Sequence, residues 1–167
     1  MAFPRLNALT FWLIPPVAVA LLATPFLGGI ETGWTAYPPL AVRTNSAQIL
    51  FDLAIITFGF TSILGGLNFI VTIIFMRAPG MAWGRLPIFV WSMFATAWIA
   101  LLYTQGFATA LLMIMLDRVA GMSFFDAEAG GDPLLYQHVF WFYSHPAVYI
   151  MVLPGFGLAL EIISHFS

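Results

Sequence analysis

Four stretches of this chain contain no Asp, Glu, Lys or Arg: 25 residues between Arg5 and Glu31, 24 between Asp52 and Arg77, 31 between Arg85 and Asp117, and 28 between Asp132 and Glu161. A helix that crosses a bilayer needs about 20 predominantly apolar residues. Each run reaches that length, and a buried helix of a water-soluble domain seldom does. The chain is 62% hydrophobic and only 7% charged, against roughly 25% charged for an ordinary soluble domain. One core of a 167-residue protein cannot hide that much apolar surface from water. The fold class implied is all-α: a polytopic transmembrane helical bundle of four spanning helices, at about 8–27, 52–76, 87–116 and 134–160.

The same counts exclude other classes. There is no Cys, hence no disulfide framework and no thiolate metal site. There is no Lys, and five Arg do not make a nucleic-acid surface. The N-terminus has one Arg, then Pro15, Pro16 and Pro25, and lacks a small-residue cleavage site, so it does not read as a secretory signal. Pro15–Pro16 should bend the first span, and Pro146 and Pro154 should interrupt the last. A loop is expected from Gly28 to Phe51, a hinge from Arg77 to Arg85, and a longer loop from Asp117 to Pro133 in which Asp126 and Asp132 order the chain. Arg5, Arg77 and Arg85 fall on one side of the membrane, and Arg43 and Arg118 fall with six acids on the other. The excess of Arg places Met1 and the hinge on the cytoplasmic side.

The chemistry concentrates in QHVFWFYSHPAVYIMVLP, residues 137–154. An ionisable side chain in mid-membrane is costly, so His145 should face a cavity, a partner or a metal. Neutral imidazole is the commonest metal ligand. Trp141, His145 and Tyr149 are four residues apart and share one helix face. From the residues alone, two readings stand: a metal-binding stripe, or a His bonded to a neighbouring helix within an aromatic packing stripe. His138 and His165, near the span ends, read as interfacial.

Trp141-Phe142-Tyr143-Ser144-His145-Pro146-Ala147-Val148-Tyr149 closely resembles the sixth helix of the catalytic subunit of haem–copper oxygen reductases, especially cytochrome c oxidases. Further segments resemble that family in the same order. They are Met1-Ala2-Phe3-Pro4-Arg5-Leu6-Asn7, Gly33-Trp34-Thr35-Ala36-Tyr37-Pro38-Pro39-Leu40, Ser62-Ile63-Leu64-Gly65, Asn68-Phe69-Ile70, Phe124-Phe125-Asp126, and Gly130-Gly131-Asp132-Pro133 followed by Tyr136-Gln137-His138. The resemblance covers essentially the whole chain. It implies that residues 1–167 are a partial subunit I-like membrane domain, with the third to sixth helices of a twelve-helix subunit. It implies that His145 is a copper ligand, that Tyr149 is the tyrosine joined covalently to that ring, and that Trp141 stands beside the copper site.

The implied reaction is the four-electron reduction of dioxygen to water with coupled proton translocation, in which Tyr149 supplies an electron and a proton. Many members have Glu two residues after the copper-ligand His, where this chain has Ala147. Another branch has Tyr-Ser immediately before the His, as in Tyr143-Ser144, and these two are expected to replace the Glu as proton relay. Asn7, Thr10, Thr61, Ser62 and Asn68 match polar positions along the proton channel, although hydroxyls in membrane helices often serve helix–helix bonding instead.

Implied cofactors are copper (copper B) and haem, expected as haem A, most of whose ligands lie outside this sequence. Implied partners are other oxidase subunits, including a copper-bearing subunit II, together with cytochrome c and membrane lipid. The implied location is a bacterial plasma membrane. The chain reads as a fragment, inactive alone. A quinol oxidase with the same core, in which quinol replaces cytochrome c, is the near alternative. A nitric oxide reductase would not be expected to have Tyr149. A passive transporter or channel, with His145, Tyr149 and the hydroxyls lining a solute path, is the alternative from another class.

Overall fold

The computed structural model of the chain describes residues 1–43 and 45–166, and all regular structure among them is helical. Five α-helices follow one another: α1 (Pro4–Ala23), α2 (Leu40–Arg43), α3 (Ala47–Phe75), α4 (Ile88–Ala120) and α5 (Pro133–Phe166). A 3-10 turn, Thr24–Leu27, extends α1, and four helices are long and apolar enough to cross a membrane. At 29, 33 and 34 residues, α3, α4 and α5 exceed the minimum span. Each tilts or projects its ends beyond the hydrocarbon.

The helix ends differ from the sequence expectation for identifiable reasons. The loop expected from Gly28 to Phe51 contains α2, and α3 starts five residues before Asp52. Asn45 Oδ1 accepts the Ala47 N–H at 2.9 Å, satisfying one of the first free donors of α3. At the other end, α4 continues past Asp117, because that carboxylate turns to the following loop. Its two oxygens accept the N–H groups of Phe124 at 2.7 Å and Phe125 at 2.9 Å. Gly121, at φ 65°, then ends α4 in the left-handed conformation. Helix α1 runs through Pro15–Pro16, and α5 runs unbroken through Pro146 and Pro154. In lipid the helical state satisfies nearly every backbone group, so losing one bond per proline does not unwind the segment.

Packing follows chain order, α1 on α3, α3 on α4 and α4 on α5. Two close approaches set the α3–α4–α5 geometry. A Cβ on Gly66 would stand 2.8 Å from the Ala97 carbonyl oxygen, and one on Gly157 would overlap Ser92. Small residues at such contacts let membrane helices touch through their backbones.

The densest core lies where α4 and α5 meet the two longer loops: Phe51, Leu111, Ile114, Phe125, Tyr136 and Phe140. Arg118 ties the first of these loops down, donating to the Ala41 carbonyl at 2.7 Å and the Asn45 carbonyl at 2.6 Å. Asp126 and Asp132 accept the N–H groups of Glu128 at 3.1 Å and Leu134 at 2.8 Å, each two residues on. At the opposite end of the bundle a ladder of Trp83, Trp91, Phe94 and Trp98 is closed by Arg77, whose guanidinium lies 4.1 Å from the Trp83 ring centre. Such aromatic–cation clusters suit a membrane–water boundary.

Candidate functional site

The site is built on α5, which is fixed by its contact with α4. Tyr136, Phe140 and Ser144 form one stripe four residues apart, and all three are buried. Tyr136 is stacked on Phe140 at 5.5 Å and donates to the Thr35 carbonyl at 2.9 Å. Trp141, His145 and Tyr149 form a parallel stripe, each one residue further along the chain and so rotated by about 100°. That stripe is open, and Trp141 and Tyr149 are 43% and 44% exposed.

Two of the open residues meet directly. The rings of His145 and Tyr149 lie 4.8 Å apart, edge to face at 78°. His145 is about 18 Å along α5 from its start, within the apolar part of the helix. Among the described residues no hydrogen bond engages its imidazole, and no cluster of three or more His, Cys, Asp or Glu could hold a metal by itself. The donor set therefore fits a single contribution to a metal: one neutral imidazole nitrogen, presented outward with a phenol one turn away.

Trp141 is held from outside α5. Its indole N–H donates to the Tyr37 hydroxyl, and its ring lies edge-on to Trp34 at 6.0 Å. Tyr37 and Trp34 come from the first loop, so this loop fixes one end of the open stripe. Both belong to the family-like segment of the first loop, but the sequence did not mark them as site residues, and no local spacing could link Tyr37 to a residue 104 positions away.

The other expected residues do not form one hydrogen-bonded chain. Tyr143 faces α4, stacked on Phe107 at 4.9 Å and lying beside Thr104. Ser144 is buried on the adjoining stripe. The Thr10 hydroxyl donates to the Asn7 carbonyl, while the Thr61 and Ser62 hydroxyls both donate to the Phe58 carbonyl. Asn68 is 1% exposed and clamps the start of α1, accepting from Phe3 N at 3.0 Å and donating to Phe3 O at 3.3 Å. Ser62 lines a cavity of about 210 Å³ with Gly65, Gly66, Thr96, Ala100 and Ile150, so α3, α4 and α5 all reach it. His138 and His165 are exposed near the two ends of α5.

A buried polar group also escaped the sequence reading. Asp52, expected at the edge of a span, is fully enclosed and accepts from Gln48 at 2.8 Å, while Gln48 in turn accepts from Thr32 at 2.9 Å. The Gln48–Asp52 spacing of four on one helix face was the available signal.

Comparison with known proteins places these features in a lineage. The family described as "Cytochrome C and Quinol oxidase polypeptide I" matches residues 1–167. The chain is 53% identical over 164 residues to cytochrome c oxidase subunit 1 of Thermostichus vulcanus, covering 98% of this chain and 30% of that protein. It is 49% identical over 164 residues to cytochrome c oxidase subunit 1 of Synechocystis sp., again covering 98% of this chain and 30% of that protein. The chain thus spans about a third of the length of these curated cyanobacterial relatives. With four helices of membrane-crossing length, it is an integral protein of a bacterial membrane.

Proposed function

The chain belongs to the cytochrome c and quinol oxidase polypeptide I family, and we propose on that premise that it is part of the catalytic subunit of a terminal oxidase. That oxidase reduces dioxygen to water and couples the reaction to proton translocation across a bacterial plasma membrane. The observation that carries this reading is the His145–Tyr149 pair: an unengaged imidazole and a phenol, edge to face at 4.8 Å, on an open stripe of a membrane helix.

His145 would donate one ring nitrogen to copper B, and the remaining copper and haem ligands would come from chain beyond these residues. The metals supply the electron transfer and the polarisation of oxygen, while the protein supplies orientation and proton access. Tyr149 holds its phenolic proton one turn from the His145 ring and is placed to deliver it. Trp141, braced by Tyr37, walls that space. Tyr143 lies one turn before Ala147, where the commoner branch of the family carries its proton-relay Glu, and Tyr143 with Ser144 moves protons toward the same centre. Asn7, Thr10 and Asn68 lie toward the end of the bundle where Arg5 and the Arg77–Arg85 hinge place the cytoplasm, and Thr61 and Ser62 lie at the middle of α3. In this structure Asn68 also has a plain mechanical task at the start of α1.

Both named relatives are cytochrome c oxidases, which supports cytochrome c as donor and a copper-bearing subunit II as partner. The test uses the full-length protein with its companion subunits. Purified enzyme should contain haem and copper and consume oxygen with reduced cytochrome c faster than with quinol. Peptides spanning His145 and Tyr149 should be two hydrogens lighter than the sequence, as a ring-to-ring bond requires. Enzyme without copper, or with copper retained in His145→Ala, would sink the proposal.

A further inference from the structure

Hydroxyls on these helices nearly all turn back on their own backbone. On α3, Thr57 and Thr61 donate to carbonyls four and three residues earlier, and on α4 Ser92, Thr96 and Thr109 do likewise. This is the ordinary solution for a Ser or Thr inside an apolar helix. Thr104, in the middle of α4, departs from it. It is 0% exposed, and its Oγ1 makes no hydrogen bond of full geometry among the described residues, though it stands close to the Tyr143 phenol.

An enclosed hydroxyl without a partner costs on the order of 1–3 kcal/mol, so its orientation requires a reason. Thr104 Cγ2 is turned onto α3, where a Cβ at Gly59 would lie 3.3 Å from it. The hydroxyl belongs to the same side chain that lies beside the Tyr143 phenol on α5. Because this chain already seals Thr104 Oγ1, neither lipid nor further polypeptide can reach it. Its available partner is the Tyr143 hydroxyl. Phe107, stacked on Tyr143 at 4.9 Å, is three residues further along α4, so Thr104 and Phe107 share the helix face that meets the phenol.

We infer that Thr104 is a positioning residue for proton delivery, its hydroxyl orienting the phenol of Tyr143. The inference rests on the proton-relay reading of Tyr143 given above. The Thr104 Oγ1 donates to the phenolic oxygen or accepts from it, so no net charge is left in the apolar interior. Gly59 serves this arrangement by admitting the Thr104 methyl group, which fixes the side-chain rotamer.

The test uses the full-length oxidase with Thr104→Val, which keeps the shape and removes the hydroxyl, Thr104→Ser, which keeps the hydroxyl, and Tyr143→Phe. Proton uptake during reaction of the reduced enzyme with oxygen is followed with a pH dye, alongside copper content and the rate of haem reduction. Thr104→Val should slow proton uptake roughly tenfold or more with copper and haem reduction unchanged, and Thr104→Ser should restore it. Uptake at the wild-type rate in Thr104→Val but slowed in Tyr143→Phe overturns the role of Thr104 and leaves the relay standing. Wild-type rates in both variants overturn the relay itself. Uptake as slow in Thr104→Ser as in Thr104→Val assigns Thr104 to packing and also overturns the inference. Should the valine variant fail to assemble with haem, Thr104→Cys, a similar volume with only a weak donor, takes its place with the same outcomes.

Discussion

Two stripes of α5, one residue out of step, behave as opposites. Tyr136, Phe140 and Ser144 are buried, and each is held by packing or hydrogen bonds supplied within this chain. Trp141, His145 and Tyr149 are open along almost the same length of helix, and among the described residues only Trp141 has a hydrogen-bond or ring partner from another element. The first stripe locates α5; the second is presented by it. A stripe whose position is fixed by a neighbouring packed stripe can carry unengaged nitrogen and oxygen atoms at a definite place, as a ligand-holding site requires.

The largest effect expected from that contrast falls on the open stripe. In the full-length oxidase, His145→Ala should abolish oxygen reduction and remove one copper per enzyme, while the protein still assembles. Truncating an open side chain leaves no cavity inside this chain and exposes no buried donor. Metal analysis together with the haem spectrum checks both halves. An enzyme that failed to assemble would mean that the two stripes are not mechanically separate.

On the buried stripe the signs reverse. Phe140→Ala removes a fully enclosed ring that touches Tyr136, Phe107, Trp34 and Tyr37. It should cost about 3–5 kcal/mol of stability, seen as a lower unfolding midpoint in detergent, while copper stays at wild-type stoichiometry in the protein that folds. Lower on the same helix, Gly157→Val would drive a side chain into Ser92. The α4–α5 contact would have to spread, costing about 1–3 kcal/mol, read in the same melt. An unshifted midpoint for either variant would mean that the α4 contact does not locate α5.

The two stripes were unequally legible. The charge-free runs specify four helices, because in lipid length and apolarity leave a segment few alternatives to a helix. The open stripe was conspicuous because its residue types, His and Tyr at a spacing of four, are costly in a membrane and chemically capable. The buried stripe has the same aromatic composition and the same spacing, so nothing local marks Phe140 as core and Trp141 as exposed. Asp52 misled in the other direction: a charged residue read as a span boundary, yet Gln48 and the loop residue Thr32 let it lie inside the helix. Pro146 and Pro154 were weighed too heavily, since the cost of leaving a helix in lipid exceeds that of one missing bond. The Thr104 orientation and the Tyr37–Trp141 bond depend on residues brought together by tertiary packing, which no spacing rule reports.

The smallest predicted effect probes the one link between the open stripe and the rest of the chain. Tyr37→Phe keeps the ring packed edge-on against Tyr136 and Phe140 and deletes only the oxygen that accepts from Trp141. The net loss should be about 0.5–1.5 kcal/mol, too little to unfold the protein but enough to free the indole. The Trp141 N–H should then exchange with solvent deuterium faster than in wild type, with the α4–α5 backbone amides unchanged. If α5 amides below Trp141 also exchanged faster, Tyr37 would be bracing the helix as a whole. The open stripe would then owe its position to the first loop rather than to the buried stripe beside it.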